Sequence, residues 1–178
     1  MSYVFENDAV FSEKYEQKLI NHINTHTSFI AKKTVEKGYP DIEVSTLAGF
    51  KFYIELKVQQ RTFMRVEKII PQSGLKPSET VALNLSDLLR YFEQEENEKL
   101  LIFIFWVVLN RACIIPNAEE HYYYRLVNEL KPIYLKEKDN RRFRRKSGDG
   151  DIVNGQHKGV TVNYHFSLNE LKIWQNKL

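Results

Sequence analysis

Along residues 11–23 the apolar positions Phe11, Tyr15, Leu19, Ile20 and Ile23 recur at intervals of three and four, which predicts an amphipathic helix. Residues 29–35 read as a strand ahead of a Gly38-Tyr39-Pro40 turn signal. Two extended runs follow, residues 41–44 and 50–58, joined by Ser45-Thr46-Leu47-Ala48-Gly49, a connection of hairpin length. Side chains alternate along a strand, so Ile54, Leu56 and Val58 share one face of the second run and Glu55 and Lys57 the other. Residues 60–77 contain Pro71, Gly74 and Pro77 and read largely as loop.

A second helix is expected to start near Ser78 or Ser86 and to run to Gln94, with Ser86 as its N-cap. Residues 100–109 are uniformly apolar and rich in β-branched and aromatic side chains, which predicts a strand buried on both faces. Helix, strands, helix and buried strand make an α/β arrangement with a mixed sheet flanked by helices. Residues 118–130 read as a helix, with Tyr122, Leu126 and Leu130 spaced by four and Pro132 marking its end. Residues 136–151 are polar and read as a mobile loop, and residues 160–166 as a strand. Ser167-Leu168-Asn169-Glu170 fits a capping box, so a last short helix is expected through Trp174.

A chain of 178 residues with ordinary apolar and charged fractions is expected to form one domain, with a core over about residues 10–110. Residues 111–178 would add elements for DNA contact or an oligomer interface. The formal charge of +3 is too mild to demand a nucleic-acid partner by itself. Cys113 is the single cysteine, which rules out an intrachain disulfide and fits a reducing, cytoplasmic setting. The N-terminus lacks a secretory pattern, and the ten apolar residues 100–109 are half of what a membrane-spanning helix needs.

Chemistry concentrates in the hairpin. Asp41 follows Pro40 at the head of the first run, and Glu55 and Lys57 lie in the second. A hairpin would bring Asp41 beside Glu55. Two hard oxygen ligands suit Mg²⁺, which takes one or two carboxylates, waters and phosphate oxygens, and Mn²⁺ is a possible substitute. An adjacent lysine suits the charge of a nucleophile or of a phosphate under attack.

Pro40-Asp41 followed by Glu55-Leu56-Lys57 resembles the signature of the PD-(D/E)XK nuclease superfamily, which includes restriction endonucleases and junction resolvases. The likeness in pattern extends over residues 10–110 and implies a restriction-endonuclease-like core in αβββαβ order. By position it makes Asp41 and Glu55 metal ligands and Lys57 the catalytic lysine. Gln59, on the same face, would be a supporting polar contact. A Glu on the first helix near the metal is a further family feature; Glu16 is the candidate and Glu13 the alternative. The carbonyl of Leu56 would complete the metal sphere.

Arg141-Arg142-Phe143-Arg144-Arg145-Lys146 is the densest basic patch, suited to phosphate contact, with Phe143 able to stack on a base or wedge beside it. His22 and His26 share a helical spacing but lack a third ligand, and His157 and His165 form no recognisable nuclease motif. Tyr122-Tyr123-Tyr124 reads as core and partner surface. Neither a phosphate-cradling glycine loop nor a Ser or Cys nucleophile motif is present. The expectation is a Mg²⁺-dependent DNA endonuclease making site-specific, restriction-type cuts as a homodimer or higher homo-oligomer, without membrane association. A Holliday-junction-resolving, homing or repair nuclease would share the same chemistry. A catalytically silent DNA-binding protein is the reading from another class.

Overall fold

The structure, a computed structural model, describes residues 5–109, 120–144, 152–153, 156–157, 162–176 and 178. Helix α1 (Phe5–His26) leads into strands β1 (Ile30–Lys33), β2 (Ile42–Ser45) and β3 (Lys51–Gln59). A short helix, α2 (Val66–Ile69), precedes β4 (Thr80–Asn84), α3 (Leu85–Glu98) and β5 (Ile102–Leu109). Then come β6 (Glu120–Leu126), α4 (Val127–Glu137), β7 (Arg142–Arg144), the short pair β8 (Ile152–Val153) and β9 (Gln156–His157), β10 (Val162–Ser167) and β11 (Lys172–Trp174).

The central sheet has the order β1-β2-β3-β5-β6-β11. Only the β3–β5 pair in it is parallel, so the sheet is mixed. A second, antiparallel sheet, β4-β10-β7, lies over one of its faces, and α1 covers part of the other. In the central sheet the order helix, three strands, helix, strand is the expected αβββαβ order, with α2 and β4 as an excursion between β3 and α3.

Strand β5 shows why its sequence lacks alternation. Ile102, Ile104, Trp106 and Val108 join the core beneath α3, β4 and β10. Phe105, Val107 and Leu109 join the core beneath α1, and Phe103 packs against its edge. A strand feeding two cores must be apolar on both faces. Trp106 also donates its indole N–H to the Ala82 carbonyl at 3.2 Å, tying the two sheets together.

Several sequence expectations are corrected. Helix α3 begins after Asn84, whose side-chain oxygen accepts the Ser86 N–H at 3.2 Å; Asn84, not Ser86, is the N-cap. Residues 120–126 form a strand where a helix was expected, and the helix that follows carries Pro132 inside it rather than at its end. In the expected loop over residues 136–151, α4 runs on to Glu137 and a 3₁₀ turn leads into β7. The Ser167 capping box forms, but it starts only the 3₁₀ turn Leu168–Glu170, and β11 takes the place of the final helix.

Candidate active site

The β2–β3 hairpin sets the register of the site. Ile42 pairs with Ile54, so one step further Asp41 comes opposite Glu55. Asp41 is fixed from both ends. Its carbonyl accepts the Thr34 N–H at 2.9 Å, and its Oδ2 accepts the Leu56 N–H at 2.9 Å. Glu55 is almost fully buried at 3% exposure. Its Oε1 contacts Lys57 Nζ at 2.5 Å, and its Oε2 accepts the Tyr91 hydroxyl at 2.5 Å. The Glu55–Lys57 contact follows from a spacing of two along one strand face.

Helix α3 braces this arrangement. Gly38, at φ +85°, turns the chain into Tyr39-Pro40-Asp41, a backbone region that favours glycine. Gln94 donates to the Gly38 carbonyl at 3.2 Å, and Tyr39 donates to Glu98 at 2.5 Å. The helix that carries Tyr91 is thereby stapled to the turn that delivers Asp41. Asp87, one turn before Tyr91, pairs with Arg90 at 2.7 Å.

The charges are unevenly balanced. Burial, followed by the Glu55 charge, pushes the Asp41 carboxyl up to about 7; Glu16 adds to this, while Lys57 and the Leu56 N–H oppose it. Burial works against the Lys57 ammonium, but the Glu55 and Asp41 carboxylates hold it above the ordinary lysine range. Burial and the Glu55 charge push the Tyr91 hydroxyl up, so it remains a donor. A third carboxylate, Glu16, stands nearby with 12% side-chain exposure. Its Oε2 lies 3.2 Å from Lys33 Nζ, in an ion pair. Lys33 is shared with Glu13 at 3.0 Å.

Asp41, Leu56, Lys57, Glu16, Glu13 and Lys33 line an open cavity of about 380 Å³. Between the two helix carboxylates, Glu16 is the one turned inward; Glu13 is largely exposed. Glu55 is not among the walls and stands behind Lys57. Among the described residues no group of three or more His, Cys, Asp or Glu side chains is placed to hold a metal ion. Two carboxylates at the cavity wall, Asp41 and Glu16, are too few for a closed cage and match only a hard cation that keeps most of its own water.

The other sequence candidates are dispersed. Gln59 uses its Oε1 to accept the Ala82 N–H at 3.3 Å, a cross-tie from β3 to β4 rather than a contact at the cavity. Arg141 is turned inward, with 8% side-chain exposure, and is held by Glu170 at 2.6 Å and by Glu137 at 3.7 Å. Its guanidinium is therefore not part of a basic surface. Arg142 and Arg144 are exposed, the former 3.5 Å from Asp139, and Phe143 packs against the small Val66, Ile70 and Leu75 core. Arg145 and Lys146 lie outside the described residues, as does Cys113. His22 and His26 stack at 4.5 Å, and His26 Nδ1 sits 3.1 Å from the His22 carbonyl. Tyr122 and Tyr123 face opposite cores of a strand, in place of the helix surface expected of them.

Tyr91 was missed by sequence reasoning. It lies in the stripe Leu88, Tyr91 and Phe92, whose spacing signals only a buried helix face. Its one visible signal is the phenol itself, which needs a hydrogen-bond partner when buried.

No family model matches the chain, and no curated protein matches it. Among solved structures the chain is similar to that of Hjc, a Holliday junction resolvase from the archaeal hyperthermophile Archaeoglobus fulgidus. The identity is 9%, the match covers 90% of this chain and 86% of that one, and the TM-score is 0.47. No helix of the described residues is long and apolar enough to cross a membrane.

Proposed function

We propose that the chain is a divalent-metal-dependent nuclease acting on DNA, with Asp41, Glu55 and Lys57 as its working groups. The observation that carries this reading is the placement of Asp41. A carboxylate fixed by the Leu56 N–H, opposite Glu55, stands at the wall of an open cavity that also holds a lysine, and burial beside Glu55 raises its pKa. A structural carboxylate would gain from full pairing; one left short of cations is suited to gain one.

Asp41 and Glu55 would hold Mg²⁺ or Mn²⁺, with the Leu56 carbonyl and Glu16 as further oxygen donors. The bound cation would supply a Lewis acid for the phosphate and lower the pKa of an attacking water. Lys57, kept charged by its two carboxylate neighbours, would orient that water and offset the negative charge that grows on the phosphate oxygens. Tyr91 would hold the Glu55 carboxylate in one orientation.

Restriction-type cutting of duplex sites and resolution of branched DNA share this chemistry. The test is incubation of the purified protein with supercoiled, linear and branched DNA in Mg²⁺, beside Asp41→Asn. Metal-dependent products that vanish in the variant support the reading. Equal products from both proteins, or DNA binding without any metal-dependent product, would remove it.

A further inference from the structure

Beyond the hairpin lies a second, chemically different cavity. Its volume is about 350 Å³, and it opens between the β3–β4 excursion and one face of the β4-β10-β7 sheet. Alternation along β10 sends Tyr164 and Phe166 into the main core and Asn163 and His165 to this cavity. Phe143, the cross-strand partner of Asn163, faces it as well. Phe63 stands opposite, edge-on to His165 with ring centroids 5.0 Å apart.

The polar groups in this apolar bowl are placed with care. His165 is only 2% exposed yet lines the cavity. Its Nδ1 lies 3.2 Å from the Arg141 carbonyl, which can only accept, so Nδ1 carries the proton. Burial holds the ring below the ordinary histidine range. Asn163 adds an amide with both donor and acceptor atoms. Arg65 places one cation in the wall.

We propose that this cavity receives one unpaired nucleobase of a DNA strand whose phosphates run along the Arg65 side. Phe63 and Phe143 line the wall with aromatic rings, and Asn163 offers a donor and an acceptor for a base edge. The inference deepens the nuclease reading, on which it rests for its DNA partner, and makes the preferred substrate DNA with an extrahelical or single-stranded nucleotide. Geometry allows the link. Strand β3 carries Lys57, and the cavity wall begins at Thr62. That segment spans at most about 18 Å when fully extended.

The test is binding of the full chain, in EDTA so that nothing is cut, to three DNA probes carrying 2-aminopurine. One is single-stranded, one is a duplex with the probe base unpaired in a bulge, and one is fully paired. The unpaired probes should bind roughly tenfold tighter than the paired duplex. Phe143→Leu, which keeps apolar volume but removes the aromatic face, should abolish most of that preference, and Phe143→Trp should restore it. Phe63→Leu provides a second probe of the same face should the β7 variants fail to fold. Equal affinity for all three DNAs, or a preference untouched in folded Phe143→Leu and Phe63→Leu, would overturn the proposal. Cleavage in Mg²⁺ without base preference would sink this proposal and leave the nuclease reading standing; base preference without cleavage would do the reverse.

Discussion

Tyr91 and Glu55 are 36 positions apart in sequence and 2.5 Å apart in space, the phenol donating to the carboxylate Oε2. The contact joins α3 to β3 and leaves Glu55 with Tyr91 on one oxygen and Lys57 on the other. Tyr91→Phe removes the donor and nothing else. Partners that orient a metal ligand typically contribute 10–100-fold to metal affinity. The variant should bind Mn²⁺ about tenfold more weakly by calorimetry while keeping its far-UV spectrum. Unchanged Mn²⁺ affinity would show that Tyr91 has no part in the site.

Asp41 gives the metal-free protein a distinctive pH dependence. Its folded-state carboxyl, at about 7, holds a proton that the unfolded chain, near 3.8, has already released. Its stabilising contribution is therefore complete below pH 4 and is lost as pH rises toward 7. Thermal melts in EDTA should show stability falling over this window by on the order of 1 kcal/mol per pH unit, an upper slope. The same melts on Asp41→Asn should lack that component. A divalent cation competes with the same proton, so the melting shift produced by Mg²⁺ should be larger at pH 8 than at pH 6.

Lys57 has a structural duty as well as its proposed chemical one. Glu55 is buried, and Lys57 is its counter-charge. Removing one partner of a buried ion pair costs roughly 3 kcal/mol. Lys57→Ala should lose both cleavage and stability, visible as an earlier urea midpoint. A Lys57→Ala protein as stable as the parent would mean that the pair contributes little.

The basic run divides into two roles. Arg141→Ala should destabilise the fold by roughly 2–3 kcal/mol by stranding Glu170 and Glu137. Arg144→Ala should leave the melt unchanged but weaken DNA binding and reduce the salt slope by about one ion. The opposite pattern would place Arg141, not Arg144, against the phosphates.

The convergence of Asp41, Glu55 and Lys57 was legible in the sequence because its logic is local. Strand alternation puts Glu55 and Lys57 on one face, and a short connection returns Asp41 to meet them. Uniform apolarity likewise marked β5. The errors arose where one pattern serves two structures. A spacing of four is helical, but it is also even, so it lies on one face of a strand as well; Tyr122 and Leu126 belong to β6. Thr80-Val81-Ala82-Leu83 is buried throughout, and a short run of that kind has no period to separate it from the neighbouring helix. Arg141 and Arg144 look alike in a basic run, yet Glu170, 29 positions after Arg141, turns one inward. Tyr91 could be recognised only once the fold had placed it against Glu55.

Asp41→Asn tests the central claim most directly, assayed for DNA cleavage in Mg²⁺ at pH 8 and for melting in EDTA at the same pH. The amide still offers an oxygen to the Leu56 N–H but removes the charge that opposes Glu55. Cleavage should fall on the order of a hundredfold or more. The metal-free protein should melt a few degrees higher, at about 2–4 °C per kcal/mol for a chain of this size. Retained cleavage, or a variant that melts lower than the parent, would contradict the assignment of Asp41 as a carboxylate kept short of its cation.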